Sequence, residues 1–112
     1  MGEQLAAVYL KKKGLTIVER NYRCFIGEID IIARDGETIV FVEVKSRRSS
    51  GFGDPASSVD IRKQKKLSKV ALAYVGEHNL ENRRARFDVI SIIMHPNGNE
   101  VQHIPNAFDL AF

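Results

Sequence analysis

The chain reads as one α/β domain with a mixed central β-sheet flanked by helices, its elements ordered helix, three strands, helix, two strands. Three observations predict this. Two runs rich in β-branched residues lie on either side of Asp35-Gly36, the sign of a β-hairpin. A basic stretch follows with Leu67, Val70, Ala71 and Tyr74 at helical spacing. A long apolar run from Arg86 to His95 then ends at Pro96-Asn97-Gly98. Helix and strand signals mixed in this way build layers around one core. At 112 residues the whole chain, 1–112, is a single domain with no room for a second core.

Gly2 to Lys13 is predicted as the first helix: Glu3, Ala6, Ala7 and Leu10 share a stripe, and Gly14 is a stop signal. Glu3 there suits the positive end of the helix dipole. Leu15 to Tyr22 is the first strand, turning at Cys24 to Gly27 into a strand that starts at Glu28; Arg23 either pairs with Glu28 or contacts phosphate. The hairpin follows, and Ser46 to Asp54 is expected to be a loop. In that loop Arg47 and Arg48 are candidates to clamp a nucleic-acid backbone. Phe52 is read as an anchor to the core rather than a wedge between bases.

Asp60, Ser57 or Ser58 caps a second helix running to about Glu77. Its stripe, extended back one turn, turns Gln64 inward, either as a satisfied buried amide or as a polar group at the site. Glu77 to Arg84 is a polar connection. Arg86 to His95 forms a long strand, and Glu100 to Ile104 returns as a short one. Asp88 within the apolar run is expected to pair with a nearby arginine. The tail from Pro105 to Phe112 is expected to cover a sheet edge or to join a partner subunit.

The hairpin carries the chemistry. With a type I′ loop at Asp35-Gly36, Arg34 faces Glu37, Ile32 faces Ile39 and Asp30 faces Phe41. One face then holds Glu28, Asp30, Ile32, Ile39, Phe41, Glu43 and Lys45, with Asp30 and Glu43 as diagonal neighbours about 7 Å apart. A shift of one residue would put Asp30 on the other face. Carboxylates gathered on an otherwise apolar face need a cation or raised pKa values. Mg²⁺ or Mn²⁺, which takes carboxylates, waters and phosphate oxygens, suits this set better than zinc. Lys45 beside the pair could orient or deprotonate a water or stabilise charge on a phosphate. His78, His95 and His103 are too scattered for a zinc site.

Gly27-Glu28-Ile29-Asp30 followed by Phe41-Val42-Glu43-Val44-Lys45 resembles the D…E-x-K signature of the PD-(D/E)XK nuclease superfamily, with Ile29 where its name has proline. More closely, the ordered set is similar to the YraN-like family of small bacterial proteins, themselves similar to archaeal Holliday junction resolvases. The set comprises the first-helix acid, the hairpin, the glycine-rich loop, the basic helix and Arg86-Phe87-Asp88-Val89-Ile90. The resemblance implies a restriction-endonuclease-like core. It also implies a metal held by Asp30, Glu43 and the Val44 carbonyl with Glu3 as an additional acid, catalysis by Asp30, Glu43 and Lys45, and a supporting role for Gln64. A homodimer is implied by analogy with resolvases, which cut two strands symmetrically.

Composition sets the outer limits. Hydrophobic residues at 44% and charged residues at 28% are ordinary for a globular chain. The lone Cys24 can form no internal disulfide. No run approaches the ~20 apolar residues of a membrane span, so a cytoplasmic protein with no membrane partner is expected. The net charge of +3 is concentrated mid-chain, where Arg47, Arg48, Arg62, Lys63, Lys65 and Lys66 offer a phosphate-binding surface or, more plainly, a solvated helix face. The reading that follows is a metal-dependent nuclease on DNA, branched or damaged, with RNA left open. Its rival is a non-catalytic or partner-dependent nucleic-acid-binding adaptor on the same fold.

Overall fold

A computed structural model describes residues 2–49 and 59–109. Seven elements follow in the expected order: α1 (Gly2–Lys12), β1 (Thr16–Arg23), β2 (Glu28–Asp35), β3 (Thr38–Arg48), α2 (Ile61–Glu77), β4 (Ala85–His95) and β5 (Gly98–Phe108). They form one five-stranded sheet in the order β1-β2-β3-β4-β5. Neighbours are antiparallel except for β3 and β4, which run parallel. A parallel pair needs a crossover, and α2 supplies it. This mixed sheet between helices is consistent with a nuclease-like core.

Each helix covers one face. Ala6, Ala7 and Leu10 of α1 pack with Ile31, Ala33, Val40, Val42, Ile90 and Ile92. Leu67, Val70, Ala71 and Tyr74 of α2 pack on the other face with Ile32, Ile39, Phe41, Phe87 and Val89. The central strand β3 is thus apolar on both sides because both sides are buried. The alternation along it, Val40 and Val42 toward α1 against Ile39 and Phe41 toward α2, determines which later residues share a face with α2: Glu43 and Lys45.

The hairpin register differs from the expected one. Asp35 pairs with Thr38 and Ile32 with Phe41, so the two loop residues are Gly36 and Glu37, and Gly36 takes the positive φ of 61°. A loop with glycine first and an ordinary residue second is the type II′ pattern. The displacement is two residues, and since side chains alternate with period two, every residue keeps its predicted face. Asp30 and Glu43 therefore come one step beyond the Ile31–Val42 pair, directly across from each other rather than diagonal.

Two further expectations are corrected. β3 does not end at Lys45; Ser46, Arg47 and Arg48 continue the parallel ladder opposite Ile92, Ile93 and Met94, because β4's long apolar run offers backbone partners that arginine and serine do not refuse. The last strand is not short. It reaches Phe108 past an irregularity between Phe87 and Val89, and Phe108 stacks on Phe87 with ring centroids 4.8 Å apart. Asp60 is the cap of α2, accepting from the Lys63 N–H at 2.9 Å. Ser57, Ser58, Phe52 and the rest of the expected glycine-rich loop lie outside the described residues, as does the chain after 109.

Candidate active site

The site lies where β2 and β3 part. The ladder between them runs only as far as Ile31 and Val42. Beyond it the Asp30 carboxylate accepts the Val44 N–H at 2.8 Å, a side chain standing in for the missing strand partner. The separation opens a cleft of about 580 Å³ under the start of α2, lined by both sides of the fork and by the helix. Asp30, Glu43, Val44 and Lys45 form its floor, and Arg23, Lys63 and Lys66 form its basic walls.

Asp30 and Glu43 lie within hydrogen-bonding reach of each other, and both are removed from bulk water. Glu43 is only 9% exposed. Burial first, and then the neighbouring Glu43, push the Asp30 pKa up to about 7. Burial also pushes Glu43 upward, but the Asp30 proton and the lysines at positions 63 and 45 outweigh it and hold Glu43 below its usual range. The pair thus shares one proton, with Asp30 as its holder. Glu43 Oε2 is 2.5 Å from Lys63 Nζ, an ammonium paired with a carboxylate. Lys45 is pushed below its usual value, first by the Lys63 ammonium and then by burial.

The donor set fits a hard divalent cation. Two carboxyls face each other, Asp30 half-buried with its pKa raised to about 7 and Glu43 buried with Lys63 as its counter-charge. All the ligand atoms on offer are oxygens. Among the described residues no three His, Cys, Asp or Glu side chains converge as a metal-holding group, so protein ligands alone would fill only part of a shell, as Mg²⁺ with retained waters permits.

The other expected site residues divide. Glu3, in the first turn of α1, is near enough to add a small upward push on Asp30 but does not line the cleft. Gln64 does not reach the cleft; its amide donates to the Val59 carbonyl at 2.9 Å at the start of its own helix. Glu28 lines the cleft mouth and is paired with Arg23 at 2.9 Å. Of the basic set, Lys63 and Lys66 face the cleft, while Arg62 and Lys65 are exposed. Arg47 and Arg48 lie further along β3, beyond Lys45.

Residues 2–92 match the model of the uncharacterised protein family UPF0102. The chain belongs to that family. It is 52% identical to a UPF0102 protein of Syntrophus aciditrophicus, across 100% of this chain and 88% of that protein. A UPF0102 protein of Geobacter sulfurreducens is 50% identical across 99% of this chain and 88% of its own length. One of Caldanaerobacter subterraneus is 47% identical across 96% and 91%. A solved structure, "Crystal structure of SSO0001", is similar with a TM-score of 0.35 and 20% identity, over 95% of this chain and 48% of that one. Membership agrees with the YraN-like resemblance and is consistent with the nuclease superfamily.

Three features of this UPF0102 chain escaped the sequence reading. Lys63, counted only among the basic residues, is the α2 side chain that enters the site: it stands four positions before Leu67 on the buried stripe. Ser91 pairs in register with Lys45; it is fully buried and its Oγ has no hydrogen-bond partner among the described residues. Asp88 meets the expected arginine, Arg86 at 3.0 Å. It also takes His103 at 2.7 Å and the Asn106 N–H at 2.9 Å, making it a buried tie between β4 and β5. No helix among the described residues is long and apolar enough to cross a membrane.

Proposed function

We propose that this UPF0102 chain is a divalent-metal-dependent phosphodiesterase acting on DNA, with branched or damaged DNA as the favoured class. The convergence of Asp30, Glu43 and Lys45 in one basic cleft carries the reading. Asp30 and Glu43, with the Val44 carbonyl and with Glu3 through the outer shell, would hold Mg²⁺ or Mn²⁺. The ion, when bound, supplies charge to offset that building on the phosphate and to make a bound water more acidic. Lys45, its pKa lowered, is suited to orient the attacking water or take its proton. Lys63 and Lys66 on the cleft wall draw in the phosphodiester and hold it by charge. Burial of the pair excludes competing water and strengthens each of these interactions.

The test is cleavage of linear, single-stranded and four-way-junction DNA with and without Mn²⁺. Metal-dependent products from the parent should fall at least about a hundredfold in Glu43→Gln and Lys45→Met, while DNA binding stays within about threefold because neither residue supplies the phosphate surface. Equal cleavage by parent and both variants refutes this site. Sedimentation with junction DNA reads whether a second copy joins for a symmetric cut.

One observation favours the adaptor reading: Lys63 already gives Glu43 a counter-charge. On that reading, DNA binding is salt-sensitive and no products form with any metal.

A further inference from the structure

We infer that Phe25, at the tip of the β1–β2 turn, is a stacking residue for an unpaired DNA base a few nucleotides along the strand from the phosphate held in the cleft. The inference rests on the nucleic-acid reading of that cleft and names the kind of DNA it takes.

Phe25 is 99% exposed, the most exposed of the large apolar side chains among the described residues. A single exposed phenylalanine needs no explanation; its setting does. The turn is closed by two reciprocal backbone bonds, the Cys24 N–H donating to the Gly27 carbonyl at 2.9 Å and the Gly27 N–H to the Cys24 carbonyl at 3.2 Å. Cys24 and Ile26 pack against the α2-side core, which leaves Phe25 between them directed outward. Helix α2 braces the turn from behind: a Cβ on Gly27 would stand 3.0 Å from Lys66 Cε and 3.4 Å from Val70 Cγ2. The ring is therefore presented on a fixed support.

That support is the rim of the cleft. Arg23, Cys24 and Gly27 all line it, together with Asp30, Lys63 and Lys66. From Gly27 to Asp30 the strand covers about 10 Å, roughly three stacked nucleotides at about 3.4 Å each. A strand whose phosphate lies over Asp30 and Glu43 thus carries a base about three nucleotides away to the Phe25 ring, with Arg23 and Lys66, which line the cleft, against the backbone between them. In a fully paired duplex that base is stacked on its neighbours and offers the ring no face. At a fork, gap or junction it does. Charge complementarity selects nucleic acid over an apolar partner as the occupant, since the cleft that the turn borders is lined by Arg23, Lys63 and Lys66.

The experiment is fluorescence anisotropy of the full chain in EDTA, where no cleavage intrudes, with two labelled DNA probes: a fork with unpaired bases and the same sequence fully paired. Phe25→Ala, at an exposed site, leaves the fold intact. It should weaken fork binding about tenfold and duplex binding less than about twofold, and Phe25→Trp should restore the fork affinity. Unchanged fork binding in Phe25→Ala overturns the inference while sparing the cleft reading. Equal loss on both probes also overturns it, as does a smaller sedimenting mass for Phe25→Ala than for the parent, which would make the ring a contact between copies. Parent protein that binds neither probe sinks this inference and the nucleic-acid reading together.

Discussion

Asp30→Asn should make the metal-free protein more stable at alkaline pH while removing a metal ligand. The folded state holds the Asp30 proton up to about 7, against 3.8 for an ordinary aspartate. Below 3.8 both folded and unfolded chains carry the proton and the stabilisation is complete. Between 3.8 and about 7 the unfolded chain has released its proton and the folded chain has not, so stability falls as pH rises, and above about 7 the contribution is gone. At ~1.4 kcal/mol per pH unit, the gap from 3.8 to about 7 sets a ceiling of ~4 kcal/mol. Asp30 is only half-buried and opens on the cleft, so solvent screening brings the figure down to about 1–2 kcal/mol. Asparagine is neutral throughout; its amide can still accept the Val44 N–H and donate to Glu43. Urea unfolding in EDTA from about pH 3.5 to pH 8 should therefore show the parent losing about 1–2 kcal/mol relative to Asp30→Asn, about 4–8 °C in Tm for a domain this size. The two proteins should agree at the acid end. Parallel curves across the whole range would refute the idea that the fold buries an acid without its counter-charge.

Other substitutions test the surroundings. Asp88→Asn should cost about 1–3 kcal/mol in urea unfolding at neutral pH, because it removes the charge from a fully buried carboxyl and leaves the partly exposed Arg86 with Asp35 alone. Burial pushes Asp88 upward, but His103, the Asn106 N–H and Arg86 outweigh it and hold the acid below its usual range. Its contribution in the parent is present above that range and lost as pH falls through it, so the acid limb of the parent's stability curve, below about pH 4, should flatten in the variant. Lys63→Met removes the ammonium paired with Glu43. Since the lysine side chain is 40% exposed, the cost should be about 1 kcal/mol rather than the 3–5 of a sealed pair. Added Mn²⁺ should raise the Tm of Lys63→Met more than that of the parent, because the cation no longer competes with the ammonium.

The faces of the hairpin were legible because alternation survives an error of two: the turn was misplaced, yet Asp30, Glu43 and Lys45 remained on one side. The order of elements was legible for a similar reason, since each apolar period and each cap is a local signal. What local signals do not carry is how far strands stay paired. Ser46, Arg47 and Arg48 look like loop residues and become strand because β4 runs beside them, a partner separated from them by a whole helix. The same limit hid the fork at Asp30, where the pairing stops and the cleft begins. Gln64 and Lys63 are adjacent on α2, and both come close to the apolar stripe; the lysine has the length to reach Glu43 while the amide finds the Val59 carbonyl just before its own helix. Phe25 falls in the turn expected from Cys24 to Gly27, but a turn alone does not say which of its side chains pack inward, as Cys24 and Ile26 do, and which face solvent, as Phe25 does.

The central claim is that two opposed carboxyls at the end of the hairpin form a seat for a divalent ion, and a crystal soaked in Mn²⁺ tests it most directly. The account predicts one anomalous peak about 2.0–2.2 Å from a carboxylate oxygen of both Asp30 and Glu43, with Lys63 Nζ withdrawn from Glu43. A map with no peak between them, and with Lys63 still on Glu43 at saturating metal, would contradict it.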